Sequence, residues 1–227
     1  MLEHTRQTIH FGVGGVFTPQ PVTDPAHALD FQRELSQHGL VFSATNVLPN
    51  AIVLARATPP LEIRVQQPGP MVGSFFVVAQ NPQRVLDDFV DEATAVQAAI
   101  GKAWPGAIQL LQREVTIHYV YDVASGDAFK YLWEERLGRR GGELSNLGRP
   151  VLGGGLRFVM PPTDPAGDEP NTLVMVESLF ADRRKLFVSV QMQWVAPRPL
   201  DDLHPDVLMR EVDQYATKEL VAFISGE

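Results

Sequence analysis

From Leu110 to Asp122 the chain alternates apolar and polar side chains, the two-residue period of a strand with one buried face. Within it, Thr116-Ile117-His118-Tyr119 echoes Thr8-Ile9-His10-Phe11, part of a second alternating stretch from about Gln7 to Phe17. Triples such as Thr-Ile-His recur by chance in a chain this long, so the echo gains its weight from position. Both copies lie in the strand that precedes the first helix of a half. The pattern predicts two similar halves, 1–106 and 107–227, each ordered strand, helix, three or four strands, long helix. One continuous sheet without symmetry is the competing reading.

Local signals fill in that order. Gly12, Gly14 and Gly15 interrupt the first strand and predict a bulge or a close approach by another backbone. Asp24-Pro25 supplies an N-cap and a first helical residue for a helix to about His38, with Ala28, Phe31 and Leu35 on its buried side and Gly39 as its terminator. Strands are expected at about 40–47, 51–57, 61–66 and 72–79, separated by Pro49-Asn50, Pro59-Pro60 and Pro68-Gly69-Pro70, the turn chemistry of an antiparallel meander. A long helix opens at Asn81-Pro82, places Asp87 and Asp88 where the helix dipole favours acids, and ends near Gly101. Its expected apolar face includes Val85, Phe89, Val90, Val96 and Ile100.

In the second half a helix over about 126–137 is expected to bury Phe129, Leu132, Trp133 and Leu137. The Gly-rich segment 138–148 is expected to hold a short or poorly formed strand, followed by firmer strands at about 151–160, 172–180 and 185–195. A last helix runs from His204-Pro205-Asp206 to about Ile224, burying Leu208, Val212, Tyr215, Leu220, Phe223 and Ile224.

Composition removes several function classes. No run approaches the roughly 18–20 uncharged apolar residues of a membrane span, and residues 1–20 lack the apolar core and cleavage site of a secretory signal. A cytoplasmic protein with no membrane partner is expected. The chain has no cysteine, which excludes disulfides, thiol nucleophiles, Cys-based zinc sites and thiolate-bound clusters. No cofactor is implied. The net charge of −8 is shared, with six basic and nine acidic residues in 1–106 and thirteen and eighteen in 107–227. Neither half has the net basic balance that phosphate-backbone binding needs.

The order of elements is similar to the repeat of the TATA-binding-protein-like fold. That resemblance implies two repeats joined into one curved antiparallel sheet, helices on its convex face, and a concave face free for a ligand. In the DNA-binding members the free face is basic and carries apolar wedges, a role the acidic balance here does not carry over. In the second half, Gly155-Leu156-Arg157-Phe158, Val176-Glu177-Ser178-Leu179, the run Asp182 to Val188, and a terminal helix opening near His204 resemble a sporadically distributed family of uncharacterised bacterial proteins. This second resemblance implies a bacterial, mobile and defence-associated context and no particular activity.

Three groups of residues carry candidate chemistry. Arg139-Arg140-Gly141-Gly142, Arg149-Pro150 and Arg157 lie in the most unusual composition of the chain, where glycines free backbone N–H groups and arginines can fork onto phosphate or carboxylate. The segment lacks the Lys-Ser/Thr ending of a P-loop, and a solvated loop is its plainer reading. His10 and His118 face each other across the expected twofold, where imidazoles can share a metal or a proton; hydrogen-bonded wall residues are the alternative. Glu177 joins them as a polar group of a cavity. Arg183-Arg184-Lys185 forms a basic hairpin tip, suited either to a partner contact or to protecting a sheet edge. The paired carboxylates Glu134-Glu135, Asp87-Asp88 and Asp201-Asp202 point about 100° apart on a helix and cannot act as acid–base couples.

The expectation is thus an α+β protein with one curved antiparallel sheet and helices on one face. The leading functional reading is a non-enzymatic binding or scaffolding protein that meets a protein partner, or a second copy of itself, through the open sheet face or the Gly/Arg loop. A nucleotide or nucleic-acid binder would instead bring Arg139, Arg140, Arg149 and Arg157 to one face. An enzyme acting on a small molecule would enclose His10, His118 or Glu177 in an apolar pocket. No catalytic residue is assigned.

Overall fold

Two long strands, β1 (Gln7–Thr18) and β6 (Gln109–Asp122), run antiparallel side by side at the centre of the protein. The computed structural model describes residues 6–164 and 167–226. Met1 to Thr5, part of the stretch read for a secretory signal, and Pro165 and Ala166 of the proline-rich loop lie outside the described residues. On one flank β5 (Val72–Gln80) pairs with β1, followed outward by β4 (Leu61–Gly69), β3 (Ala51–Arg56) and β2 (Ala44–Leu48). On the other flank β9 (Lys185–Trp194) pairs with β6, followed by β8 (Asn171–Ser178) and β7 (Gly155–Met160). A two-residue strand, β10 (Arg198–Pro199), pairs with the start of β6. The ten strands form one curved antiparallel sheet that does not close, with β2 and β7 at its edges.

The glycines of β1 explain how three strands meet so tightly. A Cβ on Gly14 would lie 2.1 Å from the Phe75 carbonyl oxygen, and one on Gly15 would lie 2.3 Å from the Gln112 oxygen. Both neighbouring backbones press on β1 there, as the glycine pattern predicts. The register shifts fall to either side of the glycines, between Thr8 and His10 and between Val16 and Phe17.

Strand alternation sorts the side chains onto two faces. Phe11, Val13 and Phe17 of β1 and Val115, Ile117 and Tyr119 of β6 are buried, as are Val188 and Val190 of β9. Helices cover this side: α1 (Pro25–Gln37), α2 (Leu86–Ala103), the short α3 (Ala128–Lys130), α4 (Pro205–Gln214) and α5 (Leu220–Ser225). The Phe11 ring lies 5.3 Å from Phe89 of α2, and Phe31 of α1 lies 5.2 Å from Trp104 at the end of α2. Burying each such ring stabilises the fold by about 2–3 kcal/mol. No described helix is long and apolar enough to cross a membrane.

α1 begins as its sequence predicts, with the Asp24 side chain accepting from the His27 amide at 2.8 Å, and ends at Gly39 with φ 77°. Elsewhere the structure corrects the expectation. α2 starts at Leu86 rather than Asn81, whose φ of 45° is incompatible with a helix, and it leaves Val85 exposed. The segment 138–148 contains a 3-10 helix, Gly141–Leu147, and no strand. α3 passes after three residues into a π-helical turn, Tyr131–Arg136, on which only Tyr131 and Leu132 are buried. The expected core residues Phe129 and Trp133 are half-buried and Leu137 is exposed. The final helix is one element with a π-turn, Tyr215–Glu219, between α4 and α5, and Phe223 faces solvent.

Candidate functional site

Two surfaces gather the residues singled out by sequence. The first is the sheet face that no described helix covers. Cross-strand register places Gln80, His10, His118, Ser189, Met175 and Arg157 in one row across six strands. At its centre the imidazoles of His10 and His118 stack, with ring centroids 4.5 Å apart and planes tilted by 24°. Phe187 meets His118 edge-on at 5.2 Å. Rings also lean over the glycines of β1: a Cβ on Gly12 would meet His10 Nε2 at 2.8 Å, and one on Gly14 would meet Phe76 Cδ1 at 2.8 Å.

The environment of the pair disfavours charge. Burial, and then the positive charge of a protonated His10, push His118 down to about 4. Burial lowers His10 as well, opposed by a hydrogen bond that the ring donates to the Gln80 side chain. Near neutral pH both rings are uncharged, and a proton on either is unfavourable to the other. Among the described residues no group of three or more His, Asp or Glu side chains is placed to hold a metal ion. Glu177 lies on the same face but is exposed and pairs with Phe187, so that ring stands between it and the imidazoles. The chemistry this face offers is contact: half-buried rings and amide groups, beside one carboxylate, Glu114, which receives hydrogen bonds from Gln193 at 2.6 Å and Gln112 at 3.4 Å.

The second surface lies at the far end of β6, where α3, the 3-10 helix and the β8–β9 hairpin tip enclose a hollow of about 520 Å³. Asp127 caps α3 by accepting from the Lys130 amide at 3.0 Å. Phe129 and Trp133 project from successive turns, their rings 6.2 Å apart and within 20° of parallel. The opposite wall carries Leu144, Arg149 and Val151, and Arg183 reaches in from the hairpin tip.

The four arginines predicted to act together do not share a surface. Arg149 lines the hollow, while Arg139 pairs with Glu143 at 3.8 Å and Arg140 leads into the 3-10 helix. Arg157 sits on the open sheet face beside a separate depression with Asn171 and Gln193. Chain direction explains the split: the glycine-rich connection carries the backbone from the helical layer round to the edge strand, so residues eight apart reach opposite sides of the sheet.

Sequence reasoning missed two buried polar groups on the helix side. Arg113, 4% exposed, pairs with Asp168 of the proline-rich loop and lies over the Trp194 ring. Tyr119 donates to Asp213 of α4, and its hydroxyl is pushed well above the usual tyrosine range by burial and that carboxylate. Burial also pushes the neighbouring Tyr121 up to about 12. Their partners lie far apart in sequence, so no local spacing announces them. Compared with known proteins, the chain matches no family model and no curated protein.

Proposed function

We propose that this is a non-enzymatic binding or scaffolding protein whose uncovered sheet face docks another protein chain, a second copy included. One observation carries the reading: the middle of that face is lined by stacked, uncharged rings rather than by the charged side chains that keep a solvent-facing sheet apart from other proteins. Docking there would cover half-buried aromatic surface without stripping water from a paired charge. The fold reading that goes with it is a pair of repeats in the layout of the TATA-binding-protein-like fold. It is supported by register, because the echo aligns His10 with His118 and the ladder pairs the same two residues. A twofold relating the halves would pass between the two imidazoles.

Site-specific photocrosslinking tests the docking surface. A benzophenone side chain replacing Thr116 on the open face is expected to give a discrete adduct in the native host, and the same probe at Leu29, exposed on α1, is not. The adduct mass distinguishes a second copy from a different chain, and Phe187→Asp is expected to abolish the adduct. Equal yields at the two positions, or none at Thr116, would end the proposal.

A further inference from the structure

We propose that the hollow beside α3 binds a small planar aromatic anion, its ring stacked on Trp133 and its charged group held by Arg149. The site is separate from the open sheet face and does not depend on what docks there.

Its size of about 520 Å³ falls within the range of small-molecule pockets and admits a two-ring ligand. Its charge inventory selects an anion. Three cations face the hollow, and two are already matched: Lys130 pairs with Glu134 at 3.7 Å and Arg183 with Asp127 at 3.0 Å. Arg149 makes no ion pair among the described residues. A planar guanidinium with its donors unused, against a partly apolar wall, suits bidentate recognition of a carboxylate or phosphate.

The aromatic half of the site is prearranged. Neither Phe129 nor Trp133 belongs to the hydrophobic core or packs against it. The indole is nevertheless fixed, because its Nε1–H donates to the Arg140 carbonyl at 3.3 Å and the Phe129 ring lies beside it. Indole and phenyl rings held side by side on a wet surface make a stacking platform, which every planar π-system can use. The backbone beneath Trp133 is π-helical, a geometry that recurs where a helix serves a site rather than a core. The facing wall is tied down: the Ser145 hydroxyl donates to the Gly142 carbonyl at 2.6 Å, and Gly148, at φ 70°, turns the chain so that Arg149 lines the hollow. Two features that the sequence places 34 residues apart, Arg149 and Arg183, meet here through the fold.

Isothermal titration calorimetry on the full chain tests this with four probes: adenosine 5′-monophosphate, 2-naphthoate, adenosine and ribose 5-phosphate. Saturable one-to-one binding of either ring-bearing anion is expected, at least tenfold tighter than adenosine or ribose 5-phosphate. The tighter of the two anions identifies phosphate or carboxylate as the charged group. Arg149→Gln is expected to weaken that binding at least tenfold, with partial recovery in Arg149→Lys. Trp133→Leu should weaken it by a similar factor while Trp133→Phe retains most of it, and thermal melts verify that each variant is folded. The proposal is overturned if neither anion binds, if adenosine or ribose 5-phosphate binds as tightly as the combined ligand, or if Arg149→Gln leaves affinity unchanged.

Discussion

The chain leaving β1 and the chain leaving β6 start alike and end differently. Both place an aspartate at a helix N-cap, Asp24 accepting from His27 and Asp127 from Lys130. After β1, α1 keeps regular geometry for 13 residues, buries Phe31 and Leu35 completely, and leads to β2, which closes onto β3 through the two-residue hairpin Pro49-Asn50. After β6, the helix loosens into a π-turn, leaves Trp133 at the surface, and gives way to a 3-10 helix. No described strand covers β7, whose Val159 is 72% exposed. The difference lies in what each segment has to bury. Gly138 to Gly142 carries no apolar side chain, so neither strand nor amphipathic helix gains anything by forming there. The first region is spent on the core; the second leaves a hollow with rings and an arginine around it.

The largest expected effect tests the centre against the hollow. Gly14→Val would drive a side chain into the Phe75 carbonyl and is expected to cost more than about 3 kcal/mol or to prevent folding. Gly142→Ala, with nothing within 4 Å of the added Cβ, is expected to change stability by less than about 0.5 kcal/mol. Urea unfolding of the two variants gives both values. A tolerated valine at Gly14 would mean that β5, β1 and β6 are not packed as described.

Next in size is the contrast between the two helices. Leu35→Ala, at a fully buried position of α1, is expected to cost about 2–5 kcal/mol by lost burial and the cavity left behind. Leu137→Ala, at a position 40% exposed, is expected to cost less than about 1 kcal/mol. Equal losses in denaturant midpoint would erase the distinction between the regions.

How much of this was legible in the sequence follows the same division. Where local and tertiary demands agree, reading worked: Asp24-Pro25 and Gly39 bound α1, the proline-rich turns separate the meander, and the glycines of β1 mark a close approach. The pairing of His10 with His118 was anticipated from an echo of four residues, because strand register follows from the alternation itself. Reading failed where aromatic residues fall at helical spacing without a core behind them. Phe129, Trp133 and Leu137 have the periodicity of a buried face, but across from the two rings lies a hollow rather than the hydrophobic core, and none of the three packs against that core. The arginines failed for a related reason. Nearness in sequence says nothing about which side of a sheet a connection will reach, and Arg157 ends on the face opposite to the helices.

A smaller effect comes from the two imidazoles where β1 and β6 touch. The folded protein holds His118 at about 4 and His10 below its ordinary value, whereas both take the ordinary histidine value of 6.5 in the unfolded chain. Between those values the unfolded chain binds more protons than the folded one. The contribution is therefore fully present above about pH 6.5 and is lost as pH falls toward 4. For half-buried rings, screened by solvent, the loss is on the order of 1–2 kcal/mol. Urea midpoints at pH 7.5 and 5.0 are expected to drop less in His118→Gln than in the parent protein. Identical drops would show that the imidazoles titrate as free surface groups.

The smallest expected effect is the most informative about the second region. Trp133 is the largest side chain in the π-turn, and in a core its loss would cost about 3–5 kcal/mol. Here the ring is half-buried, touches Phe129 rather than the core, and makes one hydrogen bond at the surface. Trp133→Leu is therefore expected to cost only about 1 kcal/mol, read as a shift in urea midpoint at unchanged slope. A loss near the core value would place the indole among structural residues and make the region after β6 a distorted version of the region after β1. A loss as small as expected would leave a tryptophan whose exposure stability does not explain, which is the condition under which binding at the hollow accounts for its presence.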